Sequence, residues 1–192
     1  MHPVRRFIHS YIELNDAEWQ FIEACLTQLN IPAGEILLEE GRICRYLYFL
    51  ESGLVRFFVW RDGEDISKFF TFPPFCFTSQ RSFTNEEPAT ESIETLEDSI
   101  IWRMTQKDAF DLFRFPNWNT FVRRLIQDVQ YDTEMLLEAL QNETAENRYR
   151  AMQQENDPIL TRVSQKHLAS YLGIAPQSLS RIRKKIASKN RS

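Results

Sequence analysis

Residues 31–72 read IPAGEILLEEGRICRYLYFLESGLVRFFVWRDGEDISKFFTF, and this run decides the fold. It is dense in Ile, Leu, Val, Phe and Tyr, and turn residues punctuate it at Pro32-Ala33-Gly34, Gly41, Ser52-Gly53 and Asp62-Gly63. Short strands spaced by about ten residues, each bounded by a turn signal, predict an antiparallel barrel or roll. Asp62-Gly63 lies between two apolar segments and predicts a tight hairpin, because glycine accepts the positive φ that such a turn requires. Gly34, Gly41 and Gly53 read as the same device.

Downstream, FPPFCFTSQRSFTNEE (72–87) is irregular and too Pro-rich for a central strand, so it predicts a loop with a short helix packed on the roll. SIETLEDSIIWRM (92–104) resumes alternation at Ile93, Thr95 or Leu96, Ile100 and Trp102 and predicts a final hairpin. Upstream, Trp19, Phe21, Ile22, Cys25, Leu26 and Leu29 follow a helical stripe behind an Asn15 or Asp16 cap, which predicts one amphipathic helix over 16–29.

Beyond Gln106 the period turns helical, briefly in KDAFDLFRF and then from Asn117 to Asn142. Trp118, Val122, Leu125, Val129, Asp132, Leu136 and Leu140 alternate by about four and three residues, the spacing of a coiled-coil seam. A helix of about 25 residues would span about 38 Å, more than one face of a small roll covers. A dimer helix is therefore expected over packing on its own roll, with Trp118, Val122, Leu125, Val129, Leu136 and Leu140 as the interface. Asp132 is an awkward member of that seam. The polar NETAENRYRAMQQENDP (142–158) predicts a helix opening a second domain, with Tyr149 and Met152 as its apolar contacts.

In LTRVSQKHLASYLGIAPQSLSRIRKKIA (160–187), Ser164 can cap a helix whose inner face holds Leu168, Ala169 and Leu172, and Gly173 can end it. Ile174 follows as a buried hinge, and Pro176 stands at the first position of a second helix, where no backbone N–H is needed. Leu179, Ile182 and Ile186 give that helix one apolar face; Gln177, Ser178, Arg181, Lys184 and Lys185 fall on the other. Helix, glycine turn and helix, with small Ala169 at the close approach, is the signature of a helix-turn-helix. Lys and Arg neutralise phosphates, while Gln, Ser and Arg near the helix start reach base edges in the major groove.

Charge agrees with that reading. Pro158–Ser192 carries eight Lys/Arg and no Asp/Glu, leaving 15 Lys/Arg against 27 Asp/Glu in the preceding part of a chain whose net charge is -4. A basic module that meets an anion is expected. Neither MHPVRRFIHSYIELNDAEW (1–19) nor any later segment has the apolar run of a signal peptide or of a membrane span, so a cytoplasmic chain is expected. Cys25, Cys44 and Cys76 are odd in number and form no C-x-x-C pair, and His2, His9 and His167 are scattered, so free thiols and no metal site are expected. No catalytic constellation stands out, and no cofactor is signalled.

The order of helix, roll, long helix and two-helix tail resembles the Crp/Fnr superfamily of bacterial transcription regulators over nearly the whole chain. The roll opening, with its Gly, apolar strand, Glu-Gly and aromatic strand ending in Ser-Gly, is similar to cyclic-nucleotide-binding domains, and LASYLGIAPQSLSRIRKK (168–185) is similar to the family's recognition unit. The resemblance implies an α+β chain: an N-terminal antiparallel β-roll (double-stranded β-helix, jelly-roll-like) sensor at 1–116, a dimerisation helix at 117–142 and a C-terminal helix-turn-helix domain at 143–192. It implies DNA, a second copy of the chain and RNA polymerase as partners, with no membrane. The family's base-reading positions fall on Pro176, Gln177, Ser180 and Arg181. Pro176 and Gln177 replace the Arg-Glu pair of the cyclic-AMP type, so a different operator is expected. The family's wing strands are expected to be absent.

The sensor departs from the nucleotide-binding pattern. The region 72–99 lacks the Gly-Glu for the ribose, and the position of the phosphate-binding Arg falls near Ala89, among Glu86, Glu87 and Glu91. Cyclic nucleotides are not expected as ligands, and neither a cysteine cluster for oxygen sensing nor a haem-binding His is visible. Phe70, Phe72, Phe75, Phe77 and Phe83 are either plain core or the lining of an apolar pocket for an unknown small-molecule effector, with Phe72, Phe75, Arg81 and Ser82 as its candidate residues. A different class of function, a small-molecule-binding roll whose tail mediates protein contacts, stays open at this point.

Overall fold

Two four-stranded antiparallel sheets are built from strands between residues 27 and 105, in a computed structural model that describes residues 1–189. Residues 190–192 of the expected C-terminal domain lie outside them. The strands are β1 (Thr27–Ile31), β2 (Ile36–Leu38), β3 (Tyr46–Ser52), β4 (Val55–Arg61), β5 (Glu64–Thr71), β6 (Phe75–Phe77), β7 (Ser92–Thr95) and β8 (Ser99–Thr105). One sheet runs β1-β8-β3-β6 and the other β2-β7-β4-β5. Phe49, Leu50 and Ile101 of the first sheet and Val55, Phe57 and Ile93 of the second meet in the main core, each at most 3 % exposed. The fold is α+β with an antiparallel β-roll and a long helix.

The turn signals account for this topology. Asp62 (φ 53°) and Gly63 (φ 82°) both take the left-handed conformation and close the β4–β5 hairpin, whose register pairs Arg61 with Glu64. Gly53 (φ 99°) joins β3 to β4 where a Cβ would meet the Ser99 backbone at 2.8 Å, so this corner requires glycine. The Pro-rich segment supplies β6, a short edge strand, and then helix α3 (Gln80–Asn85). An edge is where prolines are tolerated, because one side of the strand needs no ladder.

Two expectations are corrected. β7 and β8 are not a hairpin: β7 pairs with β2 and β4, β8 with β1 and β3, so the chain crosses between sheets at Leu96–Asp98. The single helix over 16–29 is also replaced. Helix α1 (Pro3–His9) precedes it, α2 covers only Asp16–Ala24, and Leu26 and Leu29 belong to the approach and body of β1. Pairing of Thr27–Ile31 with Arg103–Ser99 supplies a full ladder that local periodicity does not register. The start of α2 is as expected: Asn15 Oδ1 accepts from Glu18 N at 2.8 Å in a capping box. Glu18 also accepts from Asn117 Nδ2 at 2.8 Å, tying this helix to the start of the long one.

After α4 (Gln106–Asp111) and a 3-10 turn, α5 runs from Pro116 to Asn142, 27 residues. Its first turns belong to the roll. Trp118 and Phe121 are fully buried there, Trp118 Nε1 donates to Ala109 O at 3.1 Å, and Val122 and Leu125 pack on the same core. Trp118 therefore belongs to the core of its own roll, which corrects its place in the expected seam, while Val122 and Leu125 are half-buried against that core. Beyond it the helix leaves the roll, with Ile126, Met135, Leu137 and Leu140 between 45 % and 67 % exposed.

The chain then forms α6 (Ala145–Gln154), α7 (Ile159–Arg162), α8 (Gln165–Tyr171) and α9 (Pro176–Lys189). Tyr149, Ile159, Val163, Leu168, Ala169, Leu172, Leu179 and Ile186 make a second core, with Met152 against it. That core also recruits Leu54, Phe70, Phe72 and Leu96 from the roll, so the C-terminal helices are docked on the sheet bearing β4 and β5.

Candidate functional site

The α8–α9 pair is built by local signals. Ser164 caps α8 by accepting from His167 N at 3.2 Å, Gly173 takes φ 70° and donates its N–H to Ser170 O, and Ile174 N returns to Ala169 O at 3.0 Å. These bonds satisfy carbonyls left open at the end of α8. Pro176 starts α9, and Leu179 and Ile186 brace it against Leu168, Ala169 and Leu172. Gln177, Arg181, Lys184 and Lys185 are exposed on its outer side, while Ser178 and Ser180 are half-buried flanking residues. Lys185 is engaged: its Nζ lies 2.7 Å from Glu146 Oε2 of α6. Arg183 turns inward, its Nε donating to the Tyr149 hydroxyl at 3.1 Å.

The expected effector residues do not converge. Phe72 packs in the second core under the guanidinium of Arg162, which lies 5.1 Å from its ring centroid. Arg81 is turned to solvent and donates to Glu87 Oε2 at 2.7 Å. Ser82 is a buried structural hydroxyl, accepting from Cys44 N at 2.8 Å and donating to Glu87 O at 2.5 Å. Phe75 alone of the four lines a cavity, an apolar one of about 440 Å³ between the roll and α5.

That cavity is walled by Phe57, Phe69, Phe77 and Phe83 from the roll and by Phe121 and Leu125 from α5, with no charged side chain in its lining. Phe57 and Phe69 stack at 4.0 Å, and Cys76, whose thiol burial pushes its pKa strongly up, completes the floor. A neutral thiol in such a wall behaves as a small hydrophobe. Ala89, where a phosphate-binding Arg is expected, is buried. Glu91 is occupied by Ser79 Oγ at 2.6 Å and Lys68 Nζ at 3.0 Å.

The sequence reading misses a charged cluster on the outside of β4 and β5. Arg56 is 2 % exposed and uses its whole fork: Nε to Glu94 Oε1 at 2.6 Å, Nη2 to Asp65 Oδ2 at 2.7 Å, Nη1 to Ser67 Oγ at 3.1 Å and to His167 Nδ1 at 2.5 Å. A guanidinium only donates, so His167 accepts through Nδ1 and is neutral. Lys166 Nζ reaches the other oxygen of Asp65 at 2.7 Å. Burial alone would raise the Asp65 pKa, but hydrogen bonds from Lys166 and Arg56 overcome it and hold it at about 2. Burial, and then the charge of Arg56, lower that of His167.

Further bonds cross the same boundary. Ser67 N donates to Ser170 Oγ at 2.9 Å, and Arg162 grips Glu97 through Nε at 3.0 Å and Nη2 at 2.5 Å and reaches Gly53 O at 2.9 Å. The only sequence signal for this cluster is an arginine inside the apolar run VRFFVW, which demands buried partners. Among the described residues no group of His, Cys, Asp and Glu is placed to hold a metal, and no helix is long and apolar enough to cross a membrane.

Residues 28–114 match the family model of the cyclic nucleotide-binding domain. Among solved structures, the chain is similar to a transcriptional regulator of the Crp/Fnr family from Eubacterium rectale (17 % identity over 92 % of this chain and 85 % of that one, TM-score 0.74). It is similar to FixK2 from Bradyrhizobium japonicum (18 %, 86 % of each chain, TM-score 0.70). It is also similar to the catabolite activator protein of Thermus thermophilus (20 %, 94 % and 87 %, TM-score 0.57). No curated protein sequence matches the chain.

Proposed function

We propose that this chain, whose residues 28–114 match the cyclic nucleotide-binding domain family and whose fold is that of Crp/Fnr regulators, is a dimeric, sequence-specific DNA-binding transcription regulator. The observation that carries the reading is the outer side of α9, where Gln177, Arg181 and Lys184 stand exposed on a helix braced from behind by Leu179 and Ile186. In this reading α8 and α9 are a helix-turn-helix and α9 enters the major groove, with Gln177, Ser180 and Arg181 at base edges and Lys184 and Lys185 on phosphates. Two copies joined along the exposed C-terminal half of α5, through Val129, Leu136 and Leu140, would place two recognition helices on successive turns of a near-palindromic site.

The effector site in this reading is the apolar cavity between roll and α5. Its uncharged lining favours a neutral, largely apolar molecule over a cyclic nucleotide, whose phosphate would have no cation to meet. Selection of bound duplexes from a random-sequence pool tests the function. A recovered palindrome is the expected result, and a pool that stays random would refute it.

A further inference from the structure

A second cleft opens between the two sheets, on the side of β1 and β2, away from the apolar cavity beside α5. β1 and β2 each end their sheet, β1 pairing with β8 and β2 with β7, so the two edges do not close on each other. The cleft holds about 450 Å³, within the range of small-molecule sites. Apolar side chains of β1 and β2 form one side of it. Tyr46 and Tyr48 of β3, Arg103 of β8, and Arg42 and Arg45 from the β2–β3 loop form the other.

We propose that this cleft binds a small molecule carrying an anionic group, a carboxylate or a phosphate, on a flat apolar body. Such a site is separate from the cavity beside α5 and does not depend on α9 reading DNA.

Charge is the first support. The lining holds three arginines and, among the described residues, one carboxylate, Glu39, although residues 1–157 carry 27 Asp/Glu against 15 Lys/Arg. Glu39 lies 3.5 Å from Arg42 in an exposed pair, which neutralises little. The side chains of Arg45 and Arg103 make no hydrogen bond or ion pair with any described residue. Two guanidinium groups therefore face the cleft with their donors unused.

Arg103 is also held in place. The register sets it opposite Tyr48, and its guanidinium lies 4.2 Å from the Tyr46 ring centroid. Stacking of this kind occupies the face of the guanidinium and leaves the in-plane N–H fork for a planar or tetrahedral anion. Tyr48 supplies the third support. It is 4 % exposed and stacks on Phe77 at 5.1 Å, yet its hydroxyl has no hydrogen-bond partner among the described residues. Burial pushes its pKa up, so it stays a neutral donor. Buried hydroxyls are normally paired, and a ligand oxygen in the cleft would pair this one.

Calorimetric titration of the full chain with 2-naphthoate, 2-naphthyl phosphate and neutral 2-naphthol tests the site. At least one of the two anions should bind one-to-one and about tenfold or more tightly than the naphthol, and the tighter anion identifies the headgroup. Arg103→Gln should weaken that binding about tenfold and Tyr48→Phe about threefold to tenfold. Cys76→Phe, which fills the other cavity, should leave it within about twofold of wild type. Failure of both anions to bind at about 1 mM, or equal binding of all three probes, would overturn the proposal. Loss with Cys76→Phe but not with Arg103→Gln would overturn it as well, since the probe would then sit beside α5. Should Arg103→Gln fail to fold, Arg45→Glu decides, because that side chain is exposed on a loop. It should weaken anion binding about tenfold, and unchanged affinity in the folded variant would overturn the site.

Discussion

Arg56 Nη1 lies 2.5 Å from His167 Nδ1, joining a strand of the roll to the helix that supports α9 across 111 residues of sequence. The bond requires a neutral imidazole, since the guanidinium supplies only donors. Around it the charges balance: Arg56 and Lys166 face Asp65 and Glu94.

Protonating His167 would upset that balance. Its pKa in the folded chain lies below the ordinary 6.5, lowered by burial first and by Arg56 second, with Lys166 acting in the same sense and Asp65 against it. The unfolded chain then binds the proton more readily between the two values. His167 thus contributes stability that is full above about pH 6.5 and is lost as pH falls through the lowered folded value. Urea unfolding followed from about pH 8 to about pH 5 should show wild type losing more stability than His167→Gln. Parallel curves for the two proteins would contradict this. His2, also lowered chiefly by burial, is common to both and cancels.

Arg56→Met should cost about 3–5 kcal/mol, because Glu94 is left without its cation and Asp65 keeps only Lys166. Arg81→Ala should change stability by less than about 0.5 kcal/mol, since its pair with Glu87 is solvent-exposed. Urea midpoints of the two variants give the comparison.

Along α5 the two ends should respond differently. Trp118→Ala should destabilise the fold by about 3–5 kcal/mol, because the indole fills the roll core. Leu136→Lys with Leu140→Lys should shift sedimentation from dimer to monomer and lower the unfolding midpoint only by the lost, concentration-dependent linkage to dimerisation, because these residues lie outside the main core.

Binding of a neutral apolar probe in the cavity should raise the melting temperature, and the rise should continue with the logarithm of probe concentration above its dissociation constant. N-phenyl-1-naphthylamine is expected to do so, cyclic AMP is not, and Cys76→Phe, which fills the floor, should abolish the effect. A melting shift with cyclic AMP would contradict the assignment.

What the sequence makes legible is local chemistry. The Asp62-Gly63 turn, the Asn15 and Ser164 caps, the Gly173 stop and Pro176 at the start of α9 each act within a few residues, and all stand where the pattern puts them. The errors are non-local. Leu26 and Leu29 fit a helical stripe until β8 offers a ladder; Trp118 fits a seam until α4 offers Ala109 O; β7 and β8 look like neighbours until each finds another sheet. Arg81 is the arginine the sequence offers for an effector pocket, yet Arg56, inside an apolar strand, is the one the fold buries.

The most direct test of the account is the affinity of the full chain for its selected duplex relative to a shuffled one at a fixed salt concentration, for wild type and Arg181→Ala. Wild type should prefer the selected duplex by about a thousandfold or more. Arg181→Ala should lose about tenfold to a hundredfold of that preference while keeping its affinity for shuffled DNA within a few fold. Equal binding of both duplexes by wild type would contradict the central claim that α9 reads DNA sequence.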